Sequence, residues 1–564
     1  ATAQMWNTRL HLDWNQASID SDFVCRDGNE PGDYVQWDPA EFCYMQDWNV
    51  IFVENGHDAH QVLAAQEAAK ERINDQPTAI IYRTVKGWCY GIEGRKSHGA
   101  GHDFCAEEYY ETLDPIKKRF GVEFPVFGDE ATPINVERTF WETLCTLRTL
   151  LEENREIPDF FAGRLSDSKD RLTALNRQKR ENAPNLGVIY TDAISAEDIP
   201  EECTWEVGSS QTLRGALGTA LNQLNKATNG AIIGASADLL DSTSISKLGA
   251  GFPGELFNAV SNPDSRLIGV GGICEDNMGA FMAGLSAFGS HIGAGSSYAA
   301  FIASLQHIAA RLHGIGQQAH KELTGDPFRP FMIVCGHAGL KTGEDGPTHA
   351  DPQPLQLLQE NFPDGIMITL TPWDPQEIWP MLIAALKKRP AVIAPFVTRP
   401  NETIIDRQAA GIPPATDAAN GLYPMRKADP EKSVHHGTLV LQGSGITNTF
   451  MTDVLPRIDD AGYNMNIYYV SSAELFSMLS VDEQEAIYPD ALAAEAMGLT
   501  GFTLPTMYRW VTSNEGRKRT LHAFKKGHFL GSGQAHKVFE EAGLDGDSQW
   551  TAVVDYATWM ETQR

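Results

Sequence analysis

Short apolar segments alternate with amphipathic stretches over most of the 564 residues of this chain. The run Leu10 to Trp14 alternates apolar and polar residues and ends at Asn15, and a second strand is predicted over 48–53. An amphipathic stretch over 59–73 follows, for which Asp58 is a suitable N-cap. Further strands are predicted at 79–85, 231–234, 267–270, 331–335, 366–370, 391–397, 438–443 and 465–470. Strands that alternate with crossover helices form parallel sheets covered on both faces, so the predicted fold class is α/β.

Two interruptions of this pattern divide the chain. Residues 130–206 carry helical periodicity and then a charged segment, DSKDRLTALNRQKRENAP, which is typical of a solvated linker. Residues 400–436 are rich in Pro, Asp and Ala, which indicates a second linker. A chain of this length needs more than one core. We therefore predict domains at 1–130, 207–400 and 437–564, joined by a helical and charged linker at 131–206 and a linker at 401–436.

The charge and the cysteines of the chain indicate which binding partners and which cellular compartment to expect. The net charge of −29 is spread along the chain, without the Lys and Arg runs of a nucleic-acid-binding or membrane-binding surface. We therefore predict neither nucleic acid nor membrane as a partner. The eight cysteines include no CxxC pair, which favours reduced thiols. No signal-peptide pattern or membrane-spanning apolar run occurs in the sequence, so a cytoplasmic protein is predicted.

The loops that follow the predicted strands are candidate sites, because ligands of open parallel sheets bind beyond the carboxyl ends of strands. The segment CGHAGLKTGEDGPTHAD, residues 335–351, places His337, Lys341, Glu344, Asp345 and His349 among four glycines. A structural interpretation remains open, in which Asp-Gly-Pro forms a tight turn and the histidines are solvated. The density of ionisable groups favours a functional loop.

A second candidate is LIGVGGICEDNMGAFMAGLSAFG, residues 267–289, where Glu275 falls in the first turn of a predicted helix. A glutamate there ordinarily stabilises the helix dipole at the surface. In an apolar cavity it keeps its proton at higher pH and can exchange it with a ring nitrogen. Weaker signals are GASADLLDSTSIS, residues 234–246, with Asp238 and Ser242, and GIEGRKSHGAGHD, residues 91–103, with His98.

Taken in order, these segments resemble the transketolase family of thiamine diphosphate enzymes. The order runs from the Asn15 turn through WNVIFVENGHD, PTAIIYRTVKGW with SHGAG, GASADL and the Glu275 helix to GEDGPTH, the most specific motif. The resemblance covers essentially the whole chain. It implies three doubly wound units: the thiamine-diphosphate-binding fold twice, for the diphosphate and the pyrimidine, and a C-terminal α/β domain.

The resemblance also implies thiamine diphosphate bound with Mg²⁺ (or Ca²⁺) at a homodimer interface. Asn15 and the backbone carbonyl of Ala17 match the family's metal ligands, a hard-oxygen set. Glu275 matches the glutamate that protonates the pyrimidine ring. The remaining matches to cofactor-binding positions are Asp238, Tyr298, Phe301 and His98.

The implied activity is transfer of a two-carbon ketol unit from a ketose phosphate to an aldose phosphate through a thiamine diphosphate ylide. This chemistry belongs to carbohydrate metabolism and the pentose phosphate pathway. Glu275, His98 and His349 match catalytic positions. The positions that bind sugar phosphates are matched by Arg214, Ser242, His337, Asp345, His349 and Arg399.

Several departures from the family pattern keep alternatives open. Cys274 and Asp276 flank Glu275 where the family has Arg and His, and Ser304 or a neighbour replaces the third aromatic residue. The family's Gly-Asp-Gly motif, which supplies another metal ligand, does not precede Asn15. We therefore expect the chain to start inside its first domain and, by itself, to hold Mg²⁺ and cofactor poorly. The alternatives are an E1-type 2-oxo acid decarboxylase or dehydrogenase component and a noncatalytic family member.

Overall fold

The computed structural model describes residues 1–99, 102–126, 130–341 and 343–563, so Ala100 and Gly101 of the SHGAG motif and Thr342 of the 335–351 loop lie outside the described residues. The chain forms two compact units. Unit 1 consists of residues 1–180 and 258–260, and unit 2 consists of residues 181–257 and 261–564. The boundary near residue 180 falls inside the linker predicted at 131–206, and the finer domain division remains a prediction.

Unit 1 contains a small parallel sheet followed by long helices. Its elements are β1 (Arg9–Trp14), α1 (Pro39–Met45), β2 (Asn49–Val53), α2 (Ala59–Glu71), β3 (Thr78–Arg83), α3 (Glu107–Phe120), α4 (Pro133–Glu153) and α5 (Glu156–Ala174). The described strands are ordered β1-β3-β2 and are all parallel. Asp58 caps α2 as predicted, since its side chain accepts hydrogen bonds from His60 N and Gln61 N. The helix α5 extends into the charged segment and none of its residues is buried.

Helices cover both faces of the sheet in unit 1. On one face Cys43 of α1 packs with Trp14 and Ile81, and on the other face Ala65 and Ala69 of α2 pack with strand residues. This arrangement follows from the nearly continuous burial of β3, whose side chains are buried on both faces. The α/β prediction is therefore confirmed for this unit.

Unit 2 begins with the segment that carries most of the predicted site. Its first elements are β4 (Ser210–Thr212), α6 (Leu213–Thr228), β5 (Ile232–Ser236), β6 (Leu267–Ile268), α7 (Glu275–Phe288), β7 (Ile292–Ser297), α8 (Ile302–Leu305), α9 (Arg311–Thr324), β8 (Phe331–Cys335), α10 (Pro354–Leu358), β9 (Met367–Leu370), α11 (Ile378–Lys388), β10 (Val392–Pro395) and β11 (Asn401–Thr403). A parallel sheet has the strand order β6-β5-β7-β8-β10-β9, and β11 pairs with β4 in a separate antiparallel ladder. The strand predicted over 267–270 ends at Ile268, before Gly269.

The rest of unit 2 forms another sheet. Its elements are β12 (Leu422–Arg426), β13 (Thr438–Gln442), α12 (Ser444–Thr449), α13 (Leu455–Ala461), β14 (Asn466–Val470), α14 (Ala473–Ser477), α15 (Val481–Ile487), α16 (Asp490–Glu495), β15 (Met497–Thr500), α17 (Asn514–Arg519), α18 (Ala535–Ala542) and α19 (Gly546–Thr562). The order is β12-β14-β13-β15, with β12 antiparallel and the others parallel. The segment predicted as a plain linker at 401–436 therefore contributes β12 to this sheet, a correction to that prediction.

The sheets in the two parts of unit 2 share buried contacts. A core cluster includes Leu370 and Ile393 from the first part and Leu439 and Tyr469 from the second. Each helix among the described residues is too short or too polar to span a bilayer.

Candidate active site

The β4–β11 ladder brings Arg214 and Arg399 together from opposite ends of the segment 207–400. Asn401 pairs with Thr212, which caps α6 by accepting a hydrogen bond from Gly215 N at 3.0 Å. Arg214 lies in the first turn of α6, and its backbone N–H donates to Thr398 O at 3.2 Å. Burial, and then the positive charge of Arg399, lowers the pKa of Arg214. Two guanidinium groups beside a helix N-terminus repel each other and attract an anion.

The loop after β8 supplies acidic partners for Arg399. The Nη1 group of Arg399 donates to both carboxyl oxygens of Asp345, at 3.2 and 3.0 Å, and Nη2 donates to Glu344 at 3.2 Å. On its other side, Asp345 Oδ2 lies 3.7 Å from His337 Nε2, too far for a hydrogen bond. The Asp345 carboxylate therefore lies between a guanidinium group and an imidazole.

Aromatic side chains enclose the histidines of this loop. The ring centroid of Tyr298 lies 3.7 Å from that of His337, with the rings nearly perpendicular, and 5.6 Å from that of His349. The Phe301 centroid lies 5.5 Å from that of His349. Tyr298 follows β7 directly and His337 follows β8, the neighbouring parallel strand. The cluster thus lies at the carboxyl edge of the sheet, where the sequence predicted a site.

Buried polar atoms in this cluster lack protein partners. Within the described residues, Nε and Nη1 of Arg214 and both ring nitrogens of His337 have no hydrogen-bond partner. Leaving a buried polar group unsatisfied costs about 1–3 kcal/mol. Burial, followed by the positive charges of Arg214 and Arg399, lowers the pKa of His337 to about 3. A neutral imidazole offers one donor and one acceptor, so the cluster is suited to a ligand that carries an anion and hydroxyl groups.

Glu275 forms the second part of the site in unit 2. It is the first residue of α7, and its carboxyl is half-buried. Ser297, the fully buried last residue of β7, donates its hydroxyl hydrogen to Glu275 Oε1 at 3.0 Å. The other carboxyl oxygen accepts no hydrogen bond from the described residues. Ser297 was not predicted from the sequence because β7, whose sequence IGAGSS lacks the large apolar side chains of the other strands, has no recognisable strand pattern.

The structure places Asp238 and Ser242 in the turn after β5. Asp238 is exposed with a φ of 64°, a left-handed conformation that aspartate tolerates better than most residues. Ser242 is half-buried, and the adjacent Thr243 packs against Gly336, where an added Cβ would lie 2.7 Å from Thr243 Cγ2. This turn therefore contacts the residue that precedes His337, but no hydrogen bond joins Asp238 or Ser242 to the described cluster.

The predicted site residues of unit 1 lie after its strands. The Oδ1 atom of Asn15 accepts a hydrogen bond from Ala17 N at 2.9 Å, so Asn15 forms the Asx turn that is its ordinary role. His98 is exposed, and its Nδ1 lies 3.3 Å from Lys86 Nζ. The described residues contain no group of three or more His, Cys, Asp and Glu side chains that could hold a metal ion. Amide and backbone oxygens, the atoms that Asn15 and Ala17 offer, are nonetheless of the kind that Mg²⁺ takes.

Two family models match this chain. Residues 6–130 match the transketolase thiamine diphosphate binding domain, and residues 209–401 match the transketolase pyrimidine binding domain. The transketolase of Halalkalibacterium halodurans is 24% identical over 79% of this chain, which spans 60% of that relative's length. Transketolase 1 of Pasteurella multocida is 24% identical over 93% of this chain and 71% of the relative.

Solved structures share the fold. The transketolase of Campylobacter jejuni superposes with a TM-score of 0.67 at 20% identity, over 97% of this chain and 72% of the other. A Pichia stipitis transketolase in complex with sedoheptulose 7-phosphate gives a TM-score of 0.67 at 17% identity, over 99% and 73%. The folds of the matched segments are thus those of thiamine-diphosphate-binding proteins. The chain belongs to the transketolase family.

Proposed function

We propose that this chain is a transketolase-type glycolaldehyde transferase that moves a two-carbon ketol unit from a ketose phosphate to an aldose phosphate. The observation that carries the proposal is that Arg214 and Arg399 lie near each other, beside Asp345 and His337. This cluster combines positive charge, unsatisfied donors and a carboxylate at the end of a parallel sheet. Family membership supports the same reaction.

In the proposed reaction the two arginines bind the phosphate of the sugar. Arg214 has guanidinium donors without partners among the described residues, and Arg399 has a planar fork that suits bidentate binding of phosphate. Phosphate binding requires Arg399 to exchange its bonds to Asp345 and Glu344 for bonds to the ligand. The carboxylate of Asp345, once released, can accept a hydrogen bond from a sugar hydroxyl group.

The histidines hold hydroxyl groups near the reacting carbon atoms. His337 is neutral because of its lowered pKa, so it can donate and accept hydrogen bonds without adding charge. The His349 ring lies next to the rings of Tyr298 and Phe301, with centroids 5.6 and 5.5 Å away. We assign hydroxyl binding and proton transfer to these histidines, and a hydroxyl-binding role to Ser242 in the turn packed on Gly336.

Glu275 is the residue that we assign to the cofactor. Thiamine diphosphate supplies, when bound, an electron sink for cleavage of the carbon–carbon bond next to a ketone. Ser297 fixes one oxygen of Glu275, and the second oxygen can hold a proton for a pyrimidine nitrogen. Tyr298, Phe301 and the exposed Asp238 would surround the pyrimidine.

The diphosphate end is assigned to unit 1. Asn15 Oδ1 and the carbonyl of Ala17 would bind Mg²⁺, and the exposed His98 beside Lys86 would contact the diphosphate. The hydrogen bond from Ala17 N leaves a second lone pair on Asn15 Oδ1, so the Asx turn is compatible with metal binding.

A cytoplasmic homodimer is part of the proposal. In unit 2, helices α7 and α9 border a groove of about 430 Å³ lined by small residues such as Ala280, Ala283 and Gly316. Exposed apolar side chains on these helices include Phe288 at 79% and Leu312 at 55%. Apolar surface of this kind, on two neighbouring helices, is typical of a subunit interface.

The E1-type alternative is less well supported. A 2-oxo acid such as pyruvate has no phosphate group, so an enzyme for that substrate does not need both Arg214 and Arg399 at its site. The Pichia stipitis structure holds a ketose phosphate, sedoheptulose 7-phosphate. A noncatalytic role is disfavoured by the clustering of unsatisfied polar atoms at one site, where Arg214 and His337 leave four buried nitrogens without a partner among the described residues.

Calorimetry followed by an activity assay tests the proposal. The intact gene product is first titrated with thiamine diphosphate and Mg²⁺, and then assayed with xylulose 5-phosphate plus ribose 5-phosphate, or with pyruvate plus an electron acceptor. We expect turnover of the sugar phosphates only, loss of turnover in Glu275→Gln, and unchanged turnover in the surface control Lys537→Gln. Turnover of pyruvate would support the E1-type alternative, and absence of cofactor binding would contradict both enzymatic functions.

A further inference from the structure

The two segments that carry Asp345 and Arg399 run side by side in unit 2. Near the sheet, Val397 N donates to Cys335 O at 2.9 Å, and Ala338 N donates to Val397 O at 3.0 Å. Farther out, side chains join the described residues of the two segments: Arg399 with Asp345 and Glu344, and Lys341 Nζ with Glu402 Oε2. The first of these side-chain links is the one that phosphate must replace.

The second link is a buried ion pair that the proposed reaction does not use. The side chain of Glu402 is 3% exposed and that of Lys341 is 22% exposed. Burial raises the pKa of Glu402, and the positive charge of Lys341 opposes that shift. A buried ion pair adds little net stability compared with apolar residues of similar size, because both charges lose their hydration. Its contribution is therefore better sought in the fixed geometry that it imposes.

The pair is also attached to the C-terminal part of unit 2. Ser444 donates its hydroxyl hydrogen to Glu402 Oε1 at 3.2 Å, and Asn448 Nδ2 donates to Ser444 Oγ at 3.2 Å. The stem of Lys341 packs against Gly445, where an added Cβ would lie 3.1 Å from Lys341 Cβ. Glu402 thus accepts hydrogen bonds from the site loop and from the helix that follows β13.

We propose that Lys341 and Glu402 are positioning residues for sugar-phosphate binding. Their ion pair keeps the segments 335–345 and 397–402 in register when Arg399 releases Asp345 to bind phosphate. Through Ser444, the same pair makes this register depend on the C-terminal part of unit 2. The inference rests on the proposed function, since it concerns the phosphate site of that reaction.

The test compares two ligands that differ only in the phosphate group. Dissociation constants for xylulose 5-phosphate and for xylulose are measured by calorimetry on the full chain without added cofactor. We expect Lys341→Met and Glu402→Gln to weaken binding of xylulose 5-phosphate about tenfold and binding of xylulose less than twofold. For Lys341→Arg, which keeps the charge, the dissociation constant for xylulose 5-phosphate should remain within about threefold of the wild-type value. The surface variant Lys537→Met should bind as the wild type does.

A purely structural role predicts a different pattern. In that case the variants would lower the unfolding temperature or weaken the binding of both ligands equally. Either result, without a loss specific to the phosphorylated sugar, would overturn the positioning role. If Lys341→Met or Glu402→Gln fails to fold, Ser444→Ala provides the measurement, because it removes the hydrogen bond to Glu402 and the one from Asn448 and leaves both charges in place. We expect Ser444→Ala to lower the preference for the phosphorylated sugar about threefold, and an unchanged preference would overturn the proposal.

The wild-type measurement separates this inference from the proposed function. If the wild type binds xylulose 5-phosphate no better than xylulose, the phosphate site itself is wrong and both proposals fail. If the wild type prefers the phosphorylated sugar and all variants keep that preference, only the positioning role fails.

Discussion

Ser297 and Glu275 are joined by a hydrogen bond of 3.0 Å that connects the end of β7 to the first turn of α7. The donor is fully buried, whereas the acceptor is half-buried at the site. One carboxyl oxygen is therefore held by the protein and the other faces the region that we assign to the cofactor.

Removal of this hydroxyl group should weaken cofactor binding without unfolding the protein. We expect Ser297→Ala to raise the dissociation constant of thiamine diphosphate about fivefold, since a hydrogen bond contributes about 1 kcal/mol. Ser297→Thr keeps the hydroxyl and should bind as the wild type does. Calorimetry measures the effect, and equal affinities for the alanine variant and the wild type would contradict the orienting role.

Replacement of Arg214 should weaken the binding of sugar phosphate without lowering the stability of the protein. Its guanidinium group is partly buried, has two donors without a partner in the part of the chain that the structure describes, and lies near Arg399, so it is unfavourable for folding in the absence of ligand. We expect Arg214→Leu to leave the free energy of unfolding unchanged or to raise it by up to about 1 kcal/mol. The affinity for xylulose 5-phosphate should fall at least tenfold.

Urea denaturation and calorimetry together check this prediction. The control is Arg426→Leu, because Arg426 forms a partly exposed ion pair with Asp459, at 2.6 Å. That variant should bind the sugar phosphate normally. A strong loss of stability in Arg214→Leu would show that this arginine is a structural residue.

The lowered pKa of His337 gives a pH dependence with a definite sign. The pKa is about 3 in the folded chain and about 6.5 in the unfolded chain. Between these values the unfolded state binds one more proton at His337 than the folded state does. The stability that the neutral His337 contributes is therefore fully present above pH 6.5 and is lost as the pH falls towards 3. We expect His337→Asn to reduce the slope of unfolding free energy against pH in this window, by at most about 1.4 kcal/mol per pH unit.

Urea denaturation at several pH values measures that slope. His522, whose pKa burial lowers to about 4, contributes to the same window and is unchanged in the variant, so the difference between the two curves isolates His337. Parallel curves for the variant and the wild type would mean that His337 is not held neutral.

Arg407 neutralises a buried acidic pair in unit 2. Its Nη1 group donates to Asp374 at 2.9 Å and to Glu377 at 3.1 Å, and burial raises the pKa of Glu377 to about 7. We expect Arg407→Met to lower the free energy of unfolding by about 3–5 kcal/mol, because both acids would remain buried without a cation. The loss should be larger at pH 8 than at pH 5, since a protonated carboxyl tolerates burial better.

Chemical denaturation at both pH values tests this expectation. The surface variant Lys537→Met, which removes the cation of an exposed pair with Glu540, should cost less than about 1 kcal/mol. Equal losses for the two variants would indicate that the buried cluster is solvated in solution.

The proposed homodimer predicts a sensitive position on α7. Phe288 is 79% exposed at the end of this helix, and a charge there would be buried at the interface. We expect Phe288→Lys to shift the protein towards the monomer in analytical ultracentrifugation. The control Phe529→Lys alters another exposed aromatic residue, 70% exposed and distant in sequence, and should not change the mass. An unchanged mass for Phe288→Lys would exclude this face as the interface.

The sequence predicted the elements with strong apolar patterns and missed those without them. β8 spans Phe331–Cys335 as predicted, and α7 begins at Glu275 as expected from the preceding glycines. β7 was missed because glycine, alanine and serine carry no strand pattern, and Ser297 was missed with it. β4 and β11 have only three polar or half-exposed residues each, so their pairing depends on the completed fold.

The site, too, was predicted where a sequence motif marks it and was missed where a contact depends on the completed fold. The motif GEDGPTH marked Asp345 and His349, whose contacts with Arg399 and Tyr298 are local to one edge of the sheet. The partner of Lys341 could not be predicted, because a charge in one loop gives no indication of which distant carboxyl it meets. The structure assigns that partner to Glu402.

The antiparallel ladder between Ser210–Thr212 and Asn401–Thr403 closes a loop that contains nearly the whole first part of unit 2. Loop-closure entropy grows only slowly with length, but contacts of such long range form late in folding. During synthesis Arg214 leaves the ribosome long before its partner, and the paired arginines assemble only when residue 403 is available. The proposed phosphate site would therefore form only in chains that have completed this part of the fold.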